Sequence, residues 1–225
     1  MVQMHDKEVL KDLKTEGNIL RHPAKTFDFF TVSRYRGMKT VGVLPPRQGD
    51  RILDVGCGTG ELACLIKQLA GEQGRVAGID PSANMIKVAR HKAEKLKLDI
   101  DFRLAAIEQL PFEDAAFDEV YSTLMTHHLP AAIKKQGFKE VRRVLRQDGK
   151  FLIFDIGEPS NLLIRLMALP FLFLERHAFS DNGAVDSNIR GEVPELLRQA
   201  GFSNVRRLPR DSLLLFGLLE YIIAE

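Results

Sequence analysis

A glycine-rich turn between two apolar segments is the stretch of this chain whose residue types and spacing are best suited to chemistry. The apolar run Arg51–Val55 indicates a buried parallel strand, and the turn that follows it, Gly56 to Gly60, opens a predicted helix from Glu61 to about Leu69. Glycine lets the backbone turn sharply and approach a ligand without a Cβ in the way. Free N–H groups and a helix N-terminus then meet at one point, which suits an anion. Asp54 adds a carboxylate there. The pocket therefore offers N–H groups to the carboxylate of a bound amino acid and a carboxylate to its ammonium group.

A second carboxylate, Asp80, ends the second predicted strand, Arg75–Asp80. Pro81 and Ser82 then start a predicted helix from Ala83 to about Leu96, with the proline near its first turn. An acidic residue at the end of the second strand of a nucleotide-binding fold accepts hydrogen bonds from ribose hydroxyls. Asp80 therefore indicates a nucleoside ligand, and the alternative is an exposed helix-capping aspartate.

The spacing of the glycines separates two kinds of nucleotide site. A dinucleotide site requires G-x-G-x-x-G, and its third glycine would fall on Glu61 here. The observed spacing, with Asp54 ahead of it, resembles motif I of the class I S-adenosylmethionine (SAM) methyltransferases, D-x-G-x-G-x-G, from Leu53 to Gly60. The alternatives are a glycine-rich connection without a ligand and a nicotinamide oxidoreductase.

A second resemblance lies in E-Q-L-P-F, Glu108–Phe112, followed by F-D-E-V, Phe117–Val120. This pair of motifs is similar to the SAM enzymes that methylate small molecules, including those of ubiquinone and menaquinone biosynthesis. The resemblance covers about Asp50 to Gly157, and more loosely Gly191 to the end. The cofactor-binding residues that it implies are Asp54, Gly56, Cys57, Gly58, Gly60, Asp80, Pro81, Ser82, Met85, Ala106, Ile107, Glu108 and Thr123.

One position departs from that family pattern. An acidic residue often stands two positions before the glutamate of E-x-L-P-F and contacts the adenine amino group, whereas this chain has Ala106 there. Ile107 is still expected to cover the adenine face. The contact to the amino group must then come from the backbone, from Glu108 or from water.

Two histidines follow the fourth predicted strand, Phe117–Met125, in the sequence T-H-H-L-P. In open α/β sheets ligands bind at the carboxyl ends of the strands, which places His127 and His128 near the cofactor. Histidine titrates near neutrality, so either can act as general base if the acceptor is a phenol, an enol or a hydroquinone carbon. A role in shaping the cleft and a purely structural role are the alternatives. The histidine spacings match no metal motif, and no metal is expected.

Two apolar segments lie outside this core. Ala24 to about Leu44 predicts an aromatic-rich amphipathic helix, whose aromatic side chains belong either to the core or to a substrate cleft. Asn161–Glu175 is strongly apolar but too short to span a bilayer. It is interpreted as a lid over the acceptor, with packing as plain core and docking on a membrane surface as alternatives. The predicted substrate-contacting residues are Phe29, Tyr35, His127, His128 and Met167.

The order of elements predicts an α/β protein with the Rossmann-like class I methyltransferase fold. That fold has a seven-stranded, mostly parallel sheet with an antiparallel C-terminal hairpin and helices on both faces. The single domain divides into an N-terminal helical cap (1–46), a SAM-binding core (47–157), an apolar insert or lid (158–190) and a C-terminal helix and hairpin (191–225). The remaining predicted elements are Ile100–Ala105, Ala131–Arg146 with a solvated basic face, Lys150–Ile156, Gly191–Gly201, Phe202–Arg207 and Leu213–Ala224.

Composition limits the function further. The 225 residues have ordinary globular composition and a net charge of +2, which indicates neither a nucleic-acid nor a membrane partner. The two cysteines form no disulfide framework and no signal sequence is evident, so a cytoplasmic location is expected. We predict a methyltransferase that converts SAM to S-adenosylhomocysteine (SAH) and methylates a small apolar or aromatic molecule. An RNA or protein methyltransferase and a non-catalytic SAM-binding protein are the alternatives; the oligomeric state is not predicted.

Overall fold

The computed structural model describes residues 33–174, 184–208 and 218–225, and these form a seven-stranded sheet with the order β3-β2-β1-β4-β5-β7-β6. The first five strands are parallel, and β7 runs antiparallel to both β5 and β6. The predicted fold class is confirmed. The strands are β1 Arg51–Val55, β2 Arg75–Asp80, β3 Ile100–Leu104, β4 Phe117–Thr123, β5 Leu145–Ile156, β6 Val205–Arg207 and β7 Leu219–Ala224.

Helices cover both faces of the sheet, as expected. The helices are α1 Ser33–Val43, α2 Glu61–Ala70, α3 Ala83–Leu96, α4 Ala131–Val144, α5 Leu162–Leu174, α6 Asp186–Ile189 and α7 Val193–Gln199. Apolar side chains of α1, α2, α3 and α5 form one core with one face of the sheet, and those of α4 and α7 form a second core with the other face. A 3-10 turn, Thr126–His128, connects β4 to α4.

Several boundaries differ from the predictions. Helix α4 ends at Val144 rather than Arg146, because Leu145 already pairs with Phe117 and so begins β5 five residues before the predicted strand. Helix α6 lies within the predicted insert 158–190, in a part after Glu175 for which no helix is predicted. The predicted last strand begins only at Leu219, and its first part, 213–217, lies outside the described residues.

The predicted N-terminal cap is described only from Ser33 onward, so the first part of the helix predicted from Ala24 lies outside the described residues. Helix α1 packs on α2, where Gly37 approaches Leu65 closely. At the end of this segment the Leu44 carbonyl oxygen accepts a 2.6 Å hydrogen bond from the buried Tyr121 hydroxyl of β4. This bond fastens the cap to the middle of the sheet.

The predicted apolar insert contains helix α5, which has an unusual surface. Ala168 and Leu172, four residues apart, face the core, while most other large apolar side chains of the helix are exposed. Plain core packing therefore accounts for only one stripe of this helix. The exposed residues are Leu162, Leu163, Leu166, Met167, Leu169 and Phe173. Within the described parts of the chain, we find no helix with the length and apolar character needed to cross a membrane.

Candidate functional site

The glycine turn between β1 and α2 has a backbone that other residues would strain. Gly56 and Gly60 have φ angles of 75° and 77°, in the left-handed region. Packing gives a second reason at Gly60, because an added Cβ would lie 2.8 Å from Phe102 and 2.9 Å from the Ala89 side chain. At Gly56 it would lie 2.4 Å from the Met125 side chain. Conformation and packing thus both require glycine in this cradle of backbone, Gly56 to Gly60.

Asp54 ends β1 beside this cradle and is buried, with 1% of its surface exposed. Its Oδ2 atom has no hydrogen-bond partner among the described residues. Burial, and then the nearby charge of Asp80, raises the pKa of Asp54 to about 7. An enclosed carboxylate oxygen without a donor is costly by itself, so it suits a ligand that brings an N–H donor and positive charge.

Asp80 reaches the same turn from the end of β2. Its Oδ2 accepts a 3.0 Å hydrogen bond from the Gly58 N–H, and its Oδ1 accepts one of 2.8 Å from the Ser82 N–H. Burial outweighs these bonds and raises the pKa of Asp80 to about 6. The capping residue of α3 is Ser82, whose Oγ accepts from the Met85 N–H at 3.4 Å, so the helix-capping alternative for Asp80 is wrong.

These groups fit SAM as a ligand. The unpartnered Asp54 oxygen matches a cationic amino-acid end, and Asp80 stands at the usual ribose position beside the glycine cradle. The other predicted residues around the turn are close in the chain and differ in burial. Cys57 and Met85 are buried, while Pro81, Ser82 and Thr123 are half-buried. Burial also raises the pKa of the Cys57 thiol, which keeps it protonated and unreactive.

The predicted adenine-side residues Ala106, Ile107 and Glu108 are all buried. Ile107 packs against Gly137 of α4, where an added Cβ would lie 2.8 Å from the isoleucine side chain. The loop that follows is held to the same helix, because Arg143 donates to the carbonyl oxygens of Leu110 and Phe112. Ile107 thus belongs to the core under α4. Contacts of these three residues with adenine stay a prediction.

The two histidines have different surroundings. His127 is buried, and its Nδ1 lies 2.5 Å from Oδ1 of Asp155 in β5. The neighbouring His128 is half-buried, and its ring lies against that of His127 with 3.9 Å between the centroids. Asp155 also accepts hydrogen bonds from the Thr126 hydroxyl at 2.5 Å and from the His127 backbone N–H at 3.1 Å. The described contacts therefore join His127 to Asp155.

Helix α4 contributes a buried cation to the same region. The Lys134 Nζ donates to the Ala184 carbonyl oxygen at 3.0 Å and to the Ser187 hydroxyl at 2.5 Å. Burial lowers the pKa of Lys134 to about 8, although nearby carboxylates, Asp155 first among them, oppose the shift. The prediction that the basic side chains of this helix are simply solvated is wrong for Lys134, because its side chain is buried and bonded to Ala184 and Ser187.

The predicted substrate residues are only partly described. Met167 is on the exposed face of α5. Tyr35 lies in α1, but its side chain is outside the described residues, as is all of Phe29. Among the residues that the structure describes, no group of three or more His, Cys, Asp and Glu side chains could hold a metal ion.

Asp155, Asn188 and Lys134 are the polar residues here that sequence reasoning missed. The sequence position of Asp155 could have indicated a site residue, because Asp155 stands at the carboxyl end of the strand next to β4. Lys134 gave a second indication, since it precedes the buried Phe138 and Val141 by four and seven residues, the spacing of an inward helix face. Asn188 gave none, because it lies in a stretch without apolar periodicity.

Comparison with known proteins agrees with this geometry. Residues 52–149 match a family model described as a methyltransferase domain. Demethylmenaquinone methyltransferase of Staphylococcus aureus (strain JH9) is 29% identical over 194 residues, which cover 80% of this chain and 78% of that protein.

Two solved structures share the fold. A SAM-dependent methyltransferase from Aquifex aeolicus has a TM-score of 0.65 and 20% identity, covering 91% of this chain and 98% of that one. The structure of PigF with SAH has a TM-score of 0.59 and 20% identity, covering 78% and 50%. Both likenesses concern the backbone architecture.

Proposed function

We propose that this chain, a SAM-dependent methyltransferase whose residues 52–149 are a methyltransferase domain, methylates a small apolar or aromatic molecule. The exposed apolar face of α5 carries this proposal. Helix α5 begins six residues after β5 ends, so it starts at the carboxyl edge of the sheet. Asp54 and Asp80 lie at the same edge, because β1, β2 and β5 point the same way.

The chemistry needs little from the protein beyond alignment. SAM, when bound, supplies a methyl group on a sulfonium that is electrophilic without enzymatic activation. As the acceptor bonds to the methyl carbon, the carbon–sulfur bond breaks, the acceptor gives up one proton, and SAH is left. The chain must hold the acceptor in line and exclude water. His127 and His128 are the proposed groups for taking the proton of a phenol or hydroquinone.

The named substrate of a relative supports the same class of acceptor. The Staphylococcus aureus relative is called demethylmenaquinone methyltransferase, and it aligns over most of both chains. We therefore propose reduced demethylmenaquinone as the first acceptor to test. The apolar side chains of α5 suit a molecule of that kind better than a polar one.

Nucleic acid fits the described surface less well. An RNA methyltransferase would use a strip of free cations, and α4 is the helix richest in lysine and arginine here. Three of its cations are engaged within the protein. Lys134 is buried, Arg143 binds two carbonyl oxygens and Glu140, and Arg142 lies against the Phe202 ring and within 3.5 Å of the Leu145 carbonyl oxygen.

We further propose that α5 is a lid over the acceptor. The helix has one stripe in the core and a broad apolar face outside it, so it can cover an apolar molecule and keep water from the methyl transfer. The residues that would line the underside or rim of such a lid include Met167, Leu166 and Phe173. The alternative is that this face of α5 docks on a membrane surface.

Exposed positions allow a test that leaves the core intact. The variant L162S/L166S/F173S removes half-exposed or exposed side chains, and L69S/L96S removes two similarly exposed leucines from α2 and α3 as a control. The lid predicts unchanged SAH affinity and at least a tenfold higher KM for a soluble acceptor in the α5 variant only. Unchanged turnover of the soluble acceptor would contradict it. A defect confined to acceptor presented in phospholipid vesicles would favour membrane docking.

The function itself is tested in two steps. Calorimetry with SAH and with NADH establishes the cofactor, and tighter NADH binding would overturn the methyltransferase conclusion. Transfer of a labelled methyl group from SAM is then compared for reduced short-chain demethylmenaquinone, simple catechols, bulk RNA and bulk protein. Transfer to RNA or protein alone would contradict a small acceptor. SAH binding without any transfer would favour a non-catalytic SAM-binding protein.

A further inference from the structure

We infer that Arg143 of α4 is a positioning residue for the adenine of SAM, and that it acts by holding the backbone of 105–112. This stretch, the β3 loop, follows directly after β3. The inference rests on the predicted contact of 106–108 with adenine, and it does not depend on which acceptor is methylated. It gives a part in cofactor recognition to a side chain that is not among the predicted cofactor-binding residues.

The first step is the position of the β3 loop along the edge of the sheet. The carboxyl ends of β1, β2 and β3 are neighbours, because these strands are adjacent and parallel. Asp54 lies near the end of β1, and Asp80 ends β2 at the usual ribose position. The Ala105 N–H, at the start of the loop, donates to the Asp80 carbonyl oxygen at 3.3 Å. Since adenine is joined to the ribose, the loop beside Asp80 is the part of this edge expected to meet the base.

The second step is the way in which Arg143 holds this loop. Its Nη2 donates to the Leu110 carbonyl oxygen at 3.0 Å, and its Nη1 donates to the Phe112 carbonyl oxygen at 2.8 Å. Its other hydrogen bonds go to both carboxylate oxygens of Glu140 and to Asp114. A guanidinium has five N–H donors in a rigid fork, so these five bonds use all of them and fix its orientation.

Two further side chains of α4 hold the same backbone. Glu140 accepts a 3.0 Å hydrogen bond from the Leu110 N–H, and the Gln136 amide donates to the Glu108 carbonyl oxygen at 3.1 Å. The hydrogen bond from Arg143 lowers the pKa of Glu140, so its carboxylate is ionised and can accept at neutral pH. Positions 136, 140 and 143 are four and three residues apart and so lie on one side of α4. One side of this helix therefore fixes the loop backbone at 108, 110 and 112.

The third step is the residue at position 106. Ala106 has no side-chain group that could contact the adenine amino group, so the contact falls to the loop backbone, to Glu108 or to a water that they hold. Each of these sources moves with the backbone of the β3 loop. Hydrogen bonds weaken steeply when their distance and angle change, so a small displacement of this backbone would be enough to lose the contact. The preference for adenine therefore depends on Arg143.

Two ligands that differ only in the base test the inference. SAH carries adenine, whereas S-inosylhomocysteine carries hypoxanthine, in which a carbonyl oxygen replaces the amino group. Calorimetry gives both dissociation constants, and their ratio measures how strongly the site recognises the amino group. We expect the wild type to bind SAH at least about fivefold more tightly, the contribution of one neutral hydrogen bond.

Variants of Arg143 should lose this preference. In R143M the SAH dissociation constant should rise about fivefold and the ratio should fall towards one, because hydrogen bonds to the loop are lost. R143K should resemble R143M, because lysine keeps the charge but lacks the fork that reaches two carbonyl oxygens. R142M is the matched control, since Arg142 is the neighbouring arginine of α4 and lies against the Phe202 ring instead. It should bind both ligands as the wild type does.

Hydrogen exchange adds a readout that needs no ligand, and a milder variant keeps folding out of question. The Leu110 amide, which is bonded to Glu140, should exchange faster in R143M than in the wild type or R142M. Q136A removes an exposed side chain that bonds the Glu108 carbonyl oxygen. It should lower the ratio in the same direction but by less than R143M. K135A, at the adjacent exposed lysine, should leave the ratio unchanged.

Each outcome decides the inference. A wild-type ratio near one, equal losses for both ligands in R143M, or wild-type binding by R143M or R143K would overturn it. If R143M does not fold, Q136A decides, and an unchanged ratio there would also overturn it. A wild type that binds no SAH would overturn the inference together with the cofactor. Failure of the proposed function looks different: no small acceptor is methylated, while the ratio still depends on Arg143.

Discussion

Asp54 is placed where a cationic ligand can relieve its burial. The Asp54 Oδ2 has no donor among the described residues, and the pKa of Asp54 is raised from the ordinary 3.8 to about 7. A carboxyl group whose pKa rises on folding holds its proton more tightly when folded. Stability therefore falls as the pH rises from about 4 to about 7, and the whole cost is present above pH 7.

Replacing Asp54 by asparagine should separate stability from binding. We expect D54N to be more stable than the wild type at pH 8, by up to about 4 kcal/mol, and to show less loss of stability between pH 4 and 7. SAH affinity should fall, because the ammonium group loses its charged partner. Urea denaturation at pH 5 and 8 and calorimetry with SAH measure both effects. Equal stability at pH 8 would show that the carboxylate is solvated or paired.

The same titration should appear in wild-type cofactor binding. Since the ligand's positive charge favours the ionised carboxylate, SAH affinity should weaken as the pH is lowered from 8 to 6, and D54N should remove most of this dependence. Asp80, with a pKa raised to about 6, adds a further loss below that pH.

Asp80 should matter to the cofactor more than to the fold. Losing charge-assisted hydrogen bonds to ribose should weaken SAH binding by roughly 1.5–3 kcal/mol in D80A. D101A on the adjacent strand is the control, because Asp101 is about half-exposed and pairs with Arg103. Calorimetry measures the SAH dissociation constants of both variants. If the D80A and D101A values are equal, the role of Asp80 is only to accept hydrogen bonds from the Gly58 and Ser82 N–H groups.

At the scale of elements, the glycine cradle depends on both conformation and space. Alanine at Gly60 would adopt a left-handed φ of 77°, at a cost of roughly 1–2 kcal/mol, and would press on Phe102 and Ala89. We expect G60A to lose SAH binding and at least that much stability. G42A is the control, because Gly42 lies inside α1 with nothing within 4 Å of an added Cβ. It should gain up to about 1 kcal/mol. Thermal unfolding compares them, and a G60A protein as stable as wild type would contradict the argument.

The elements next to this cradle could be predicted from the sequence because their signals are local. The apolar run before the turn gives β1 with its observed bounds, and the run ending at Asp80 gives β2. Ser82 as a capping residue fixes the start of α3. Each of these depends on residues within a few positions of one another, so no knowledge of the tertiary structure was needed.

Other parts of the site could not be read in that way, because tertiary contacts decide them. The two histidines look equivalent in the sequence, and only the adjacency of β4 and β5 brings Asp155 to His127. The spacing of Lys134 from Phe138 and Val141 indicates an inward position, but the acceptors of its Nζ, in 184–187, come from a distant part of the chain. The early start of β5 likewise depends on Leu145 meeting Phe117 on another strand.

For the whole molecule, the position of β7 is the feature on which the sheet depends. All six of its residues are buried, and it pairs with β5 on one side and β6 on the other. Deleting residues 219–225 should therefore remove both pairings and expose the inner face of β5. We expect loss of near-ultraviolet circular dichroism and of a cooperative urea transition. Deleting Glu225 alone should preserve both signals, and a cooperative transition in the longer deletion would show that β1–β5 fold independently.

The place of β7 also has a consequence during protein synthesis. The ribosome makes β7 after the other six strands, yet in the finished sheet it lies between two of them. Until it emerges, β5 is an edge strand whose backbone groups are open to pairing, and β6 has no place to attach. Such an edge invites association between nascent chains. Slow translation of the last segment should thus lower the yield of folded protein, whereas chaperones that bind β5 early should raise it.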